Sequence, residues 1–299
     1  MTEIYIPLPS KENFELYSHQ CFDGFFIGIK GLSSNFNSYI DEKELKSVID
    51  VLNKSKKKIF ICLNRLYYNS EIDKVKDFII KISKFDITGI CYTDLGVLNI
   101  LNEIRYDKDI FWISNHLGTN SKTVNFLEKR NVSYALLSTE ITLDEVISIK
   151  KNTNINIGIK LYGFLNMATS SRKLLSNYFD YIKENNEKNN YIIEDKVKKE
   201  KYKVVEDRDT NFFTGKVLNG IKYLPKLIDN GLDFIILDDY MLSTNDFYNI
   251  IEAFSSLRNA KDDKDFVNNI IDVVNCNTYY DIFDGFLNKK TVYKVEDYE

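Results

Sequence analysis

Lys160-Leu-Tyr-Gly-Phe-Leu-Asn-Met-Ala-Thr-Ser-Ser-Arg-Lys-Leu-Leu-Ser-Asn-Tyr178 follows directly on an apolar run, Ile155 to Leu161, that reads as a buried strand. The strand opens into a polar, small-residue turn, Thr169-Ser170-Ser171, and then Arg172. A strand ending in hydroxyl residues and one arginine suits an anion or a polar substrate. It equally suits an ordinary strand-to-helix loop capped by serine. Its place in the chain decides between architectures, because it is the seventh strand-like run in a series.

Six such runs precede it: Ile4 to Leu8, Gly24 to Ile29, Lys58 to Leu63, Ile87 to Tyr92, Ile110 to Ile113 and Val132 to Leu137. Amphipathic segments separate them. Leu45, Val48, Ile49 and Leu52 recur at helical spacing, as do Ile72, Val75, Phe78, Ile79 and Ile82. Further helices are expected at 95–104, at about 120–130 and from Thr142 to Lys151, where Thr142 and Glu145 form a capping box. Ser10 is a candidate cap for a first segment over 11–20. The eighth run, Leu232 to Leu237, comes only after a long interruption and is followed by a helix at 244–258.

Strands alternating with helices imply parallel neighbours, since each needs a crossover. The runs are continuously apolar, as strands covered on both faces are. Eight units match an α/β fold of the (β/α)8 TIM-like barrel type, here with a β-hairpin excursion after the seventh strand. An open doubly wound sheet is the rival, and the absence of GxGxxG after the first strand weakens its dinucleotide-binding form. The excursion lies within 178–231, where Tyr191-Ile-Ile193 and Tyr202-Lys-Val-Val205 are β-like. The barrel with this insertion is expected over 1–260. A C-terminal extension over 261–299 carries a helix (Phe266, Ile270, Ile271, Val274) and a strand-like Lys290 to Val295.

The chain has 299 residues, 44% hydrophobic and 28% charged, with net charge −4, a balance that exerts no overall pull toward nucleic acid. Seven lysines against five acids between 183 and 203 read as a solvated surface. Cys21, Cys62, Cys91 and Cys276 are not at metal-ligand spacing. No leader pattern opens the chain and no run approaches 18 apolar residues, so a cytoplasmic protein with no membrane span is expected.

The order of features resembles the peptidase U32 family, the collagenase-like proteases. The resemblance rests on Gly24 to Gly31, Lys58 to Asn64, Tyr92 to Val97, Ser114-Asn-His-Leu-Gly-Thr-Asn120, Glu140 to Glu145, the 160–178 stretch, Tyr191 to Asp195, Leu224-Pro-Lys-Leu227, Gly231 to Ile235 and Thr291 to Val295. It spans nearly the whole chain and implies a barrel domain. Family members are tied to oxygen-independent hydroxylation of tRNA uridine, of ribosomal RNA and of ubiquinone precursors. Prephenate is implicated as hydroxyl donor, many members carry a [4Fe-4S] cluster on four cysteines, and several work as paired related subunits. The family signature places cysteines where this chain has Asn166 and Lys173. No cluster is therefore expected here, and no other cofactor or metal. The resemblance implies as partners a cluster-bearing relative of the same family, a tRNA and a prephenate-like small carboxylate.

A barrel's active site lies at the C-terminal ends of its strands. That rule gathers Asn64, Asp94, Ser114, Asn115, His116, Glu140, Tyr162, Arg172, Asp238 and Asp239 at one mouth. His116 and Glu140 are the candidate acid and base, and Arg172 the candidate bidentate carboxylate holder or a bridge to Glu140 or Asp238. Asn64, Asn115, Tyr162 and Asp238 are the candidate substrate contacts. His19 is read as a surface residue. Proteolysis needs a nucleophile with a partnered base, or a metal, and neither HExxH nor GxSxG occurs. Three readings follow: a tRNA-hydroxylation protein, a non-catalytic partner of a cluster-bearing relative, and a true peptidase.

Overall fold

The computed structural model describes residues 1–10, 21–186, 188–197, 199–259 and 264–288. The segment 11–20 with His19, and the strand expected at Lys290 to Val295, lie outside the described residues. Eight parallel strands close into a barrel: β1 (Glu3–Pro7), β2 (Gly24–Gly28), β3 (Lys58–Leu63), β4 (Gly89–Tyr92), β5 (Asp109–Ile113), β6 (Tyr134–Leu136), β7 (Asn156–Ser170) and β11 (Phe234–Leu237). Each pairs with the next, and β11 closes the ring by pairing in parallel with both β7 and β1. The doubly wound alternative is thereby excluded.

The described helices are α1 (Leu45–Leu52), α2 (Asn69–Ile82), α3 (Leu95–Glu103), α4 (Ser121–Glu128), α5 (Leu143–Lys151), α6 (Leu174–Ile182), α7 (Leu224–Asp229), α8 (Thr244–Arg258) and α9 (Lys264–Cys276). Among the described residues no helix is long and apolar enough to cross a membrane. The capping box that opens α5 forms as its sequence spacing requires: Thr142 Oγ1 accepts from Glu145 N, and Thr142 N donates to the Glu145 carboxylate.

Period-two alternation sorts the barrel into two cores. Ile4, Ile6, Phe25, Ile27, Ile59, Ile61, Ile157 and Ile159 point outward and pack under the helices. Tyr5, Phe26, Phe60, Phe111, Tyr134 and Phe234 point inward and fill the barrel with rings whose centroids lie 5.0–6.5 Å apart. Glycine makes room for them: a Cβ on Gly158 would stand 2.4 Å from the Phe234 ring and 2.2 Å from its carbonyl oxygen. At the N-terminal end Lys58 Nζ bonds Glu3 (2.8 Å) and the Tyr134 hydroxyl (3.0 Å), closing the barrel floor.

β7 corrects the expectation for the opening stretch. It does not end at Leu161 but runs to Ser170, and Thr169 and Ser170 are strand residues paired with Asn211 and Thr210. The upper half of β7 leaves the barrel and pairs antiparallel with β10 (Thr210–Asn219). β10 pairs with β9 (Lys201–Glu206) and β9 with β8 (Asn190–Glu194), the two runs read as a hairpin. β10 escaped the sequence reading because Thr214-Gly215-Lys216 interrupts its apolar pattern, where its register against β7 also shifts. The result is an antiparallel annex standing beside the mouth. β12 (Ile282–Phe283) adds to β10 in parallel, and α9 packs on α8.

Candidate functional site at the barrel mouth

The strand ends enclose a cavity of about 340 Å³. Its floor is the top of the inner core: Phe26, Phe36, Cys62, Leu136 and Ile236. Its polar wall includes Asn64, Arg65, Ser114, Asn115, His116, Lys160, Asp209 and Asp238.

Of the residues expected there, Asn64, Ser114, Asn115, His116 and Asp238 line the cavity. Asn64 is spent on the scaffold, since its amide accepts from Ser34 N and donates to Ser34 O, both at 3.0 Å. Asn115 is half-buried, and its carbonyl accepts from Ser138 Oγ at 2.9 Å, which ties the loop after β5 to that after β6. His116 Nδ1 stands 3.1 Å from the Glu140 carboxylate, a pair at the lip with both side chains solvent-accessible. Asp238 pairs with Lys160 Nζ at 2.5 Å and accepts from Tyr240 N at 2.9 Å.

Asp94, Glu140, Tyr162, Arg172 and Asp239 do not line it: Asp94 caps α3 by accepting from Gly96 N, and Tyr162 and Arg172 lie away from the mouth altogether. Tyr162 is not at the mouth: the pairing of β7 with β11 skips a residue between Lys160 and Tyr162, and this bulge turns both Leu161 and Tyr162 to the outer face. Its hydroxyl meets Thr278 Oγ1 at 2.8 Å in a separate cleft against α8, and burial pushes the phenol up to about 12. Arg172 is exposed and does not line the cavity, because β7 carries it past the rim. It forms no ion pair among the described residues, so the bridge to Glu140 or Asp238 is not made: Glu140 is with His116 and Asp238 with Lys160.

The arginine that does line the cavity is Arg65, two residues past β3 and 3% exposed in its side chain. Its Nη2 donates to Asp209 at 2.6 Å, while its Nε is buried with no partner. Sequence reasoning passed over it, although only six of the chain's 40 basic residues are arginine and this one stands at a strand's C-terminal end. Lys160 points inward, by plain alternation with Ile157, Ile159 and Leu161 outward, one residue before the bulge, and was passed over as well. Next to the mouth, burial and then the charge of Asp238 push the Asp239 carboxyl up to about 7. Asn37 fixes the backbone there, donating to Asp239 O and accepting from Met241 N, where Met241 takes a left-handed φ of 63°.

The positions where the family signature has cysteines hold no thiolate. Asn166 is buried and its amide donates to Asn211 Oδ1 at 3.2 Å, an oxygen that also accepts from Thr169 Oγ1 at 2.7 Å. Lys173 is an exposed ammonium at the start of α6. Cys21, Cys62, Cys91 and Cys276 are free, the middle pair buried and facing each other in register across β3 and β4. Among the described residues no three or more His, Cys, Asp or Glu side chains stand close enough to hold a metal ion. An iron–sulfur cluster on four thiolates does not fit this donor set.

Fold and site together define a closed α/β barrel with a polar mouth that holds two ion pairs, Arg65–Asp209 and Lys160–Asp238, over an apolar, partly aromatic floor. The model of peptidase family U32 matches residues 10–294, and the chain belongs to that family. It is 23% identical over 287 residues to tRNA hydroxylation protein P2 of Bacillus subtilis (strain 168), covering 90% of this chain and 92% of that one. It is 21% identical to tRNA hydroxylation protein P1 of the same organism, covering 86% of this chain but only 63% of that longer protein. Among solved structures, the U32 peptidase Mk0906 aligns at a TM-score of 0.47 and 11% identity, over 55% of this chain and 70% of that chain.

Proposed function

We propose that this chain takes part in the hydroxylation of a tRNA nucleoside, with the barrel mouth as the reacting site. The observation that carries the reading is the near full-length match to a tRNA hydroxylation protein on both chains. The mouth supports it chemically. A cavity of about 340 Å³ accommodates a small carboxylate donor of the prephenate kind beside a reacting base, with cationic groups at its wall and the His116–Glu140 couple at its lip. A peptidase reading has less support. Among the described residues no hydroxyl or thiol of the mouth is bonded to an imidazole, and His116 is engaged with Glu140.

The chain works in the cytoplasm, where its RNA is, and without a cluster of its own. A specific observation favours a paired assembly. Asn166 and Lys173 stand where thiolates would be needed, and relatives named P1 and P2 both occur in one organism. A cluster-bearing relative is then the subunit that supplies electron-transfer chemistry, and this chain supplies the donor or RNA site. A non-catalytic partner role is the second reading.

The test is a mass-spectrometric profile of tRNA nucleosides from a strain lacking the gene. Loss of a hydroxylated uridine, restored by the wild-type chain, is expected; an unchanged profile removes the proposal. Complementation with His116→Asn is expected to restore the modification about a hundredfold more slowly. Full restoration by this variant leaves only the non-catalytic role. Iron and acid-labile sulfide in the anaerobically purified chain would overturn the cluster-less assignment.

A further inference from the structure

We propose that Arg65 is the carboxylate anchor of the mouth, and that Asp209 is an internal carboxylate held on it until a ligand takes its place. The inference rests on the mouth being the reacting site. It begins from an imbalance. A guanidinium has five N–H donors arranged to grip a carboxylate through two parallel bonds. Arg65 uses one, from Nη2 to Asp209 Oδ2 at 2.6 Å. Its Nε is enclosed with no acceptor among the described residues, and a buried donor left unpaired is unfavourable.

Arg258 offers a contrast. Its Nε is likewise unpaired, but its other donors reach Thr2 O, Asp23 and Cys21 O, and it lines no described cavity. Arg258 fastens the barrel's far end. Arg65 lines the mouth cavity, and the one side-chain bond its guanidinium makes among the described residues is the one to Asp209.

The partner of Arg65 has the character of a latch. Asp209 lies on the turn between β9 and β10, 144 residues along the chain, and the same turn is tied down once more by Arg208 on Glu71. One tie runs from the annex to Arg65, in the loop between β3 and α2, and the other to Glu71, in the first turn of α2. Lifting the turn exchanges one carboxylate on Arg65 for another, so the ion pair is replaced rather than lost. The floor beneath is apolar and partly aromatic, with Phe26, Phe36, Leu136 and Ile236. The ligand class is therefore a small carboxylate with a ring or other apolar body, its charge on Arg65 and its body on that floor.

The test is calorimetric titration of the full-length chain with phenylpyruvate, and separately with inorganic phosphate. Wild type is expected to bind phenylpyruvate, and Asp209→Asn to bind it about tenfold more tightly, because a latch closed most of the time lowers apparent affinity by the open fraction. Arg65→Gln is expected to abolish binding. The double variant Arg65→Gln with Asp209→Asn, which leaves no unpaired buried charge, is expected to fold and still not bind. Arg172→Gln is expected to bind as wild type does. The proposal is overturned if Asp209→Asn binds no more tightly, if the folded double variant binds as wild type, if Arg172→Gln alone abolishes binding, or if phosphate binds and phenylpyruvate does not. Because the readout is binding, an unchanged tRNA profile would remove the functional reading and leave this one standing.

Discussion

Glu206 and Asp239 are two buried carboxyls with opposite consequences for stability. Glu206 accepts from Leu175 N (2.7 Å), Ser176 N (3.1 Å), Ser176 Oγ and Thr210 Oγ1 (2.9 Å), so a residue of β9 caps the N-terminus of α6. Burial pushes its carboxyl up, but these hydrogen bonds outweigh burial and hold it below the ordinary range. Its contribution is present above the ordinary carboxylate pKa and is lost as pH falls through the lower folded value. Glu206→Gln, which leaves donors of α6 unpaired, is expected to cost about 1–3 kcal/mol at neutral pH in urea denaturation. The gap to wild type should close below about pH 4. Asp239 behaves in reverse. Its folded carboxyl keeps its proton to about pH 7, while the unfolded one ionises near 3.8. Stability tied to it is full in acid and drains away as pH rises from about 4 to 7. Asp239→Asn should therefore gain on wild type across that window, and parallel pH profiles of the two proteins would show the assignment wrong. Neither carboxyl was readable in this role from sequence, since the cap crosses from β9 to α6 and the raised carboxyl depends on what encloses it.

At the level of elements, β7 explains both what was legible and what was not. Its barrel half carries Ile157, Ile159 and Leu161 between helical segments, and such apolar stretches make the eight-strand count readable. Its upper half carries Asn166, Thr169 and Ser170, polar residues that look like a turn because their hydrogen-bonding partners belong to β10, some 40 residues on. The bulge before Tyr162 is a one-residue event with no local signature, yet it decides which side chains reach the mouth. Strand-end position thus identified Asn64, Ser114, Asn115, His116 and Asp238 as mouth residues, and misplaced Tyr162, where the bulge intervenes, and Arg172, which β7 carries past the rim. The same strand supplies a packing test. A Cβ at Gly158 would meet the Phe234 carbonyl oxygen, a backbone atom fixed by the pairing of β7 with β11. Gly158→Ala is expected to cost about 3 kcal/mol or more in chemical denaturation. A variant as stable as wild type would mean that β11 can shift away, which the aromatic core around Phe234 opposes.

For the whole molecule, the two parts of the sheet differ sharply in how they are held. Strands β2, β3 and β4 are buried along almost their whole length, covered outside by helices and inside by rings. In the annex, β8 is exposed at four of its five residues and α6 buries only Leu175. Ile192 and Val197 there are 66% and 92% exposed. Little apolar area returns to water when β8 and α6 come loose, so the cost of opening them is a fraction of the cost of opening the barrel. What holds the annex is polar and focused: Glu206 on α6, Arg65 on Asp209 and Arg208 on Glu71. Hydrogen exchange should resolve this as a gradient. Amides of β8 and α6 are expected to exchange through local opening, several orders of magnitude faster than those of β3 and β4, which should exchange only with global unfolding. Arg208→Gln, which removes one tie and touches no cavity residue, should speed exchange across β8 and β9 and leave β3 and β4 unchanged. Uniform protection across annex and barrel would show a single cooperative unit, and a latch at Asp209 would then have to be lifted against the stability of the entire protein.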